Sequence, residues 1–172
     1  MLEKFIKQFS ALLTSVFVFV IYLTTLAKST VLLDNGELAA TSYLLGIPHP
    51  TGYPLFTIIG YLFSHIPLKM RVIHQLNLLS AIYSSIGVYF TIKLIRIIID
   101  ELEKDFSSEK FLLNNLSEFS KTFISIFGGL VFAFSKTFWF QSTNYEVYTL
   151  NIALMSAIIF YSIKAFRKEI EN

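Results

Sequence analysis

Asp34 and Glu37 stand three residues apart just ahead of an apolar run. On a helix that spacing puts both carboxylates on one face. Two kinds of chemistry suit such a pair. Asp-x-x-Glu before an apolar stretch has the form of a capping box, with Asp34 as N-cap. A carboxylate at an apolar wall can also serve as a general base, because desolvation perturbs its pKa. The readings are compatible in part, since a capping aspartate keeps its second oxygen. His49 lies between Pro48 and Pro50 on a fixed backbone and titrates near neutrality. It reads as a hydrogen-bonding turn residue or as a ligand. His65 and His74 are scattered, so no histidine–carboxylate spacing recommends a metal, and neither metal nor cofactor is expected. Glu146, in Asn144-Tyr145-Glu146-Val147-Tyr148, reads as an interfacial anchor among tyrosines or as a further site carboxylate. There is no glycine-rich phosphate loop, nucleophile elbow or Cys/His cluster.

The elements that must carry these residues are apolar. Of 172 residues, 54% are hydrophobic, 16% aromatic and 15% charged, with a mean hydropathy of +0.61. An ordinary soluble domain carries about 25% charged residues, and a disordered chain has few aromatics, so both classes are excluded. Fourteen basic against twelve acidic residues leave +2, which points to no nucleic-acid partner. The absence of cysteine removes disulfides and thiolate metal sites. The length accommodates about four membrane helices of roughly 20 residues.

An all-α, polytopic membrane protein is therefore expected, one membrane domain over 1–172 with spans near 11–27, 72–99, 122–140 and 148–166. The first run has a cleaved signal peptide as its rival, with Ala27-Lys28-Ser29 as a cleavage site, but it is long for a signal core. With the N-terminus cytoplasmic, ten Lys and Arg fall inside and four outside (Lys28, Lys69, Arg71 and Lys136), which obeys the positive-inside rule. Nine of the twelve acids then lie inside, and the outer side keeps Asp34, Glu37 and Glu146. The mixed charges of the cytoplasmic loop 100–121 read as a solvated surface. Trp139 and Tyr145 to Tyr148 are expected in an interfacial aromatic belt.

The external loop 28–71 is too long for a turn, and loops of that length are usually functional. Leu38 to Ile47 reads as a short helix, and three of the four prolines follow within Pro48 to Pro54, a rigid turn. Leu55 to Ile66 is too short to span and reads as an interfacial or re-entrant helix.

Four blocks in this order resemble the protein O-mannosyltransferase-like family of membrane glycosyltransferases. They are Asp34 to Glu37, Gly46-Ile-Pro-His-Pro-Thr-Gly-Tyr-Pro-Leu55, Asn77-Leu-Leu-Ser-Ala81, and Ala133 to Gln141 followed by Glu146 to Asn151. The resemblance implies a GT-C fold, of which this chain would be the N-terminal part. It implies an enzyme that takes sugar from a polyprenyl-phosphate carrier on the non-cytoplasmic face, with Asp34 acting on the acceptor hydroxyl. Glu37, His49 and Glu146 fall on motif positions and would line the same substrate cavity. Similar proteins carry an arginine where this chain has Gln75, and Arg71, one turn earlier, is the substitute partner for the lipid phosphate.

The expected function is transfer of a sugar, mannose being the candidate, from a polyprenyl-phosphate-linked donor to a protein hydroxyl. The expected location is the bilayer, multi-pass, the cell membrane if the source is bacterial. Relatives of this kind have many more spans, so an incomplete module is expected, completed by further membrane subunits or a missing C-terminal part. The alternative is a non-catalytic membrane module that binds a lipid-linked substrate. A transporter would need ionisable residues along a pathway inside the spans, and these are few.

Overall fold

The computed structural model describes residues 2–30, 34–105 and 116–170. Within them the chain is all-helical: α1 Leu2–Thr24, α2 Asn35–Leu44, α3 Pro54–Ser64, α4 Val72–Asp105, α5 Glu118–Ala133, α6 Lys136–Thr143 and α7 Val147–Ile170. The long helix α4 is the axis of the fold and touches all the other helices. Its buried face carries Leu76, Leu79, Val88 and Ile92, interleaved with Gln75, Asn77, Ser80 and Ser84. Val88 and Ile92 pack with Val18 and Tyr22 of α1, while Leu76 and Leu79 pack with Leu38 of α2 and Phe56 of α3.

The outside is as apolar as the inside. Leu13, Val16, Phe17 and Val20 of α1 are exposed, as are Phe119, Phe123, Phe127 and Val131 of α5 and Met155, Ile158 and Phe166 of α7. A surface of this extent marks contact with lipid or protein rather than water. Helices α4 and α7 are long and apolar enough to cross a membrane, and the α5–α6 pair makes a third if counted as one broken span. Two or three spans thus stand against the four expected. The described apolar part of α1, Phe9–Thr24, is shorter than the roughly 20 residues a span needs.

The expected span over 122–140 is a bent pair of helices, α5 and α6, which meet at 67°. Ser135 takes an extended conformation as the N-cap of α6, which ends α5 at Ala133. The carbonyl of Ala133 then accepts the hydroxyl of buried Tyr22 at 2.8 Å. The break thus gives a buried donor its acceptor.

At the opposite end, the charges around 100–121 are less solvated than expected. Lys121 is 7% exposed and pairs with Glu103, with Asp100 at 3.7 Å and Glu118 at 3.6 Å. Arg96 bridges Asp100 at 3.3 Å and Glu118 at 2.6 Å, and Arg167 pairs with Glu101. These pairs tie α4 to α5 and α7 at one level. Residues 106–115 of that loop lie outside the described residues.

Close approach of α5 to α4 depends on glycine. A Cβ on Gly129 would stand 2.3 Å from Ile92 Cγ1, whereas one on Gly128 meets only the terminal Cδ1 of Ile95, at 2.8 Å. Overpacking costs about 1–3 kcal/mol, so Gly129→Ala should lower thermal stability in detergent clearly more than Gly128→Ala. Equal melting of the two variants would contradict this packing.

Candidate functional site

The site is built on Asn77, a fully buried side chain near the start of α4. Its Nδ2 donates to the Ala27 carbonyl at 2.8 Å, just past the end of α1. Its Oδ1 accepts from the Tyr145 backbone N–H at 2.8 Å and from Asn35 Nδ2 at 3.2 Å. Asn35 Nδ2 also donates to the Tyr145 carbonyl at 3.3 Å. One amide therefore joins α1, α2, α4 and the α6–α7 junction. Tyr145 completes the floor: its ring stacks on Phe56 at 4.3 Å and its hydroxyl meets Ser42 Oγ at 3.0 Å. A Cβ on Gly60 would lie 2.0 Å from that hydroxyl, so only glycine lets α3 sit here. Tyr145 is wholly buried, which corrects its expected place in an interfacial belt, while Tyr148 is exposed. Trp139 Nε1 donates to Thr25 Oγ1 at 3.0 Å.

Asn35 fixes the start of α2, so Asp34 stands at the rim as its N-cap residue. The backbone position is that of a cap, but the carboxylate makes no capping hydrogen bond. Nor does Glu37 reach back to complete a box. Its Oε1 accepts the His49 backbone N–H at 2.8 Å, and its Oε2 lies 3.2 Å from His49 Nδ1. The His49 N–H, with the ring beside it, holds the exposed Glu37 carboxyl below its ordinary range. With Glu37 ionised, Nδ1 carries the proton and donates. The ring so held turns Nε2 toward Asp34 Oδ2, 3.9 Å away, and its plane meets the Tyr53 ring edge-on. Asp34, Glu37 and His49 thereby offer three ligand-type atoms within 4.8 Å of one another.

Glu146 enters from behind. It is 4% exposed, its backbone N–H donates to Ser80 Oγ at 3.3 Å, and its Oε1 has no hydrogen-bond partner. Burial, and then the negative charge of Asp34, push its pKa up to about 7, with His49 opposing the shift. That is not the setting of a surface anchor.

Arg71 lies elsewhere. With Lys28 and His74 it lines a separate cavity of about 320 Å³. His74 Nδ1 lies 3.1 Å from the Ala27 carbonyl, the same oxygen that Asn77 holds. Gln75, at the position where arginine was expected, donates to the Phe63 carbonyl and, at 2.9 Å, to that of Ile66. It closes the end of α3 and is not available to an anion. Another cavity, about 340 Å³, is apolar and lined by Tyr53, Leu55, Phe56, Leu150 and Leu154 among others.

The structure thus gathers Asp34, Glu37 and His49, sets Glu146 next to Tyr145 of the same clasp, and places Arg71 in the cavity with Lys28 and His74. Sequence reasoning missed Lys28 and His74, which no spacing connects to Arg71. It also missed the supporting part of Asn77, whose signal lay in the Asn-Leu-Leu-Ser-Ala block. Replacing Asn77 with leucine leaves the Tyr145 N–H without its acceptor, and an orphaned buried donor costs about 1–3 kcal/mol. Asn77→Leu should lower the melting temperature in detergent and expose the 144–147 junction to protease; unchanged melting and cleavage would contradict the clasp.

The family described as the protein O-mannosyl-transferase TMEM260 N-terminal domain matches residues 34–172. The chain is 27% identical over 135 residues to protein O-mannosyl-transferase tmem260 of Dictyostelium discoideum, covering 76% of this chain and 14% of that protein. It is 26% identical over 151 residues to protein O-mannosyl-transferase TMEM260 of Mus musculus, covering 84% of this chain and 18% of the relative. The chain therefore spans under a fifth of the length of these relatives. No solved structure matches it.

Proposed function

The chain belongs to the TMEM260 N-terminal domain family of protein O-mannosyl-transferases, and on that premise we propose that it forms the acceptor-side corner of a membrane glycosyltransferase. The donor is a polyprenyl-phosphate-linked sugar, with mannose the candidate, and the acceptor is a protein hydroxyl. The uncommitted carboxylate of Asp34 carries this reading: it occupies a cap position, forms no cap bond, and faces the held ring of His49.

In the proposed step the acceptor oxygen attacks the sugar carbon. The bond from that carbon to the phosphate oxygen breaks, and its electron pair leaves on the phosphate. The acceptor proton passes to Asp34 as the new bond forms. Glu37 orients His49 beside Asp34, and Glu146 lines the same corner. A lipid phosphate needs cations more than an acid, and the cavity of Lys28, Arg71 and His74 supplies them. The apolar cavity beside Tyr53 suits a hydrocarbon tail. In this reading α1 also crosses the bilayer with the N-terminus inside, which makes four spans of GT-C type. Because the chain spans so little of its relatives, the rival reading is a non-catalytic module that binds the lipid-linked donor or assembles with another membrane subunit.

General bases contribute about 100- to 10,000-fold, so Asp34→Asn should reduce transfer from a labelled lipid-sugar by that factor. Its stability should not change, because the Asp34 carboxylate makes no capping bond to lose. Full transfer by Asp34→Asn at matched expression would remove the base, and no transfer by the wild type would favour the module. The orientation is tested separately, since the chain has no cysteine to interfere. Single cysteines replacing exposed Thr51 and Lys168 should react with an impermeant thiol reagent in intact cells only at 51. Labelling at 168 alone would reverse the topology.

A further inference from the structure

Lys93 lies within α4, one of the helices long enough to cross a membrane, and has no anion beside it. It stands three residues, about 4.5 Å along the axis, from Arg96. Among the described residues Arg96, Lys121 and Arg167 are paired with acids, whereas Lys93 forms neither an ion pair nor a hydrogen bond. A lysine near the end of a spanning helix ordinarily reaches out toward water. This one turns back along the helix, with Nζ 5.7 Å from the centre of the Tyr89 ring. The ammonium is therefore half-buried on the inner side of the ion-pair layer, where an uncompensated charge is costly.

Two cavities follow one another along the seam between α1 and α4. The first, about 80 Å³, is lined by Lys93 and Arg96 together with the hydroxyl-bearing Ser10, Thr122 and Ser125. That exceeds the roughly 30 Å³ share of a single water, so the space suits a small polar group. No acid lines it, and Arg96 is already met by Asp100 and Glu118, so Lys93 leaves the cavity positive. The second, about 380 Å³, is an apolar groove whose walls include Leu12 and Val16 of α1 and Ile86, Tyr89 and Phe90 of α4. On α1 the first cavity takes Ser10 and Ala11, and the groove begins at Leu12. On α4 the groove ends at Phe90, and the first cavity begins at Ile92. Lys93 links the two, since it lines the first and its ammonium lies over Tyr89 of the second.

We propose that this seam binds one anionic phospholipid of the surrounding bilayer. Its head-group phosphate lies beside Lys93 and the hydroxyls, and an acyl chain lies in the groove over Tyr89. Any hydrocarbon can fill the groove; the unpaired lysine selects the head group. Basic pockets between membrane helices take anionic head groups on the cytoplasmic side, and the orientation proposed above puts this end of α4 there. Asn77 and the candidate site lie toward the opposite end of the same helix, so a lipid bound here leaves the donor and acceptor room.

The whole chain is purified in a zwitterionic detergent and given equal amounts of phosphatidylglycerol and phosphatidylcholine with identical acyl chains. Native mass spectrometry counts the lipid retained. One phosphatidylglycerol per chain is expected, preferred about fivefold, the usual effect of one lysine near an anionic lipid. Lys93→Gln should abolish the preference and Lys93→Arg should keep it. Lys69→Gln, exposed in the loop before α4, should leave it unchanged. Ser85→Leu, which fills the groove, should reduce retention of both lipids. Equal retention of the two lipids by the wild type overturns the site without recourse to any variant. A preference that survives Lys93→Gln, or retention undiminished by Ser85→Leu, would overturn it as well.

Discussion

The amide of Asn77 is the constraint on which the candidate site depends. It is buried with no access to water, so each of its polar atoms must find a protein partner. The partners it takes lie on α1, α2 and the α6–α7 junction. Apolar packing can hold helices together with some freedom of rotation and slide. A buried amide cannot be satisfied by a slid neighbour, and so it sets register as well as contact. Asn35 and Tyr145, the chain neighbours of Asp34 and Glu146, owe their meeting to this.

Around that clasp the fold spends its irregularities at the same end. Helix α5 stops at Ala133, where the carbonyl it frees receives Tyr22, and α6 stops at Thr143, where Tyr145 can turn inward. Helix α2 ends at Leu44 and the proline turn brings His49 back onto Glu37. Broken backbone at membrane depth is tolerated where protein buries it. The ion pairs of Arg96, Lys121 and Arg167 hold the other end of α4, α5 and α7 together. Buried pairs of that kind are weak evidence for stability, but removing one partner is severe. The two ends thus differ in make-up: ion pairs tie the helices at one, and the broken helices and the candidate site residues lie at the other.

Charge follows the same division. Asp34 and Glu37 gather with one histidine, while Lys28 and Arg71 share a cavity with His74. Separation of the two signs suits a transfer in which a proton leaves on one side and a phosphate on the other. A single mixed site would have its carboxylates and cations neutralise one another.

The apolar composition, the long helices α4 and α7 and the motif blocks with their candidate residues were all determined by the sequence alone. These are local or additive properties: a hydrophobic run needs no partner to be recognised, and a motif is read in order along the chain. The tertiary structure decided which partner each polar atom took. Asp-x-x-Glu has the spacing of a capping box, yet Glu37 bonds to His49, because the proline turn carries a better donor to it than the start of α2 offers. Tyr145 suits an interface by type, yet it fills the space left by Gly60. Gln75 in place of arginine looked like a lost phosphate contact, and the structure shows it closing α3 while Lys28 and His74 join Arg71. In each case the residue type allowed several partners, and only the distance between elements far apart in the chain selected one.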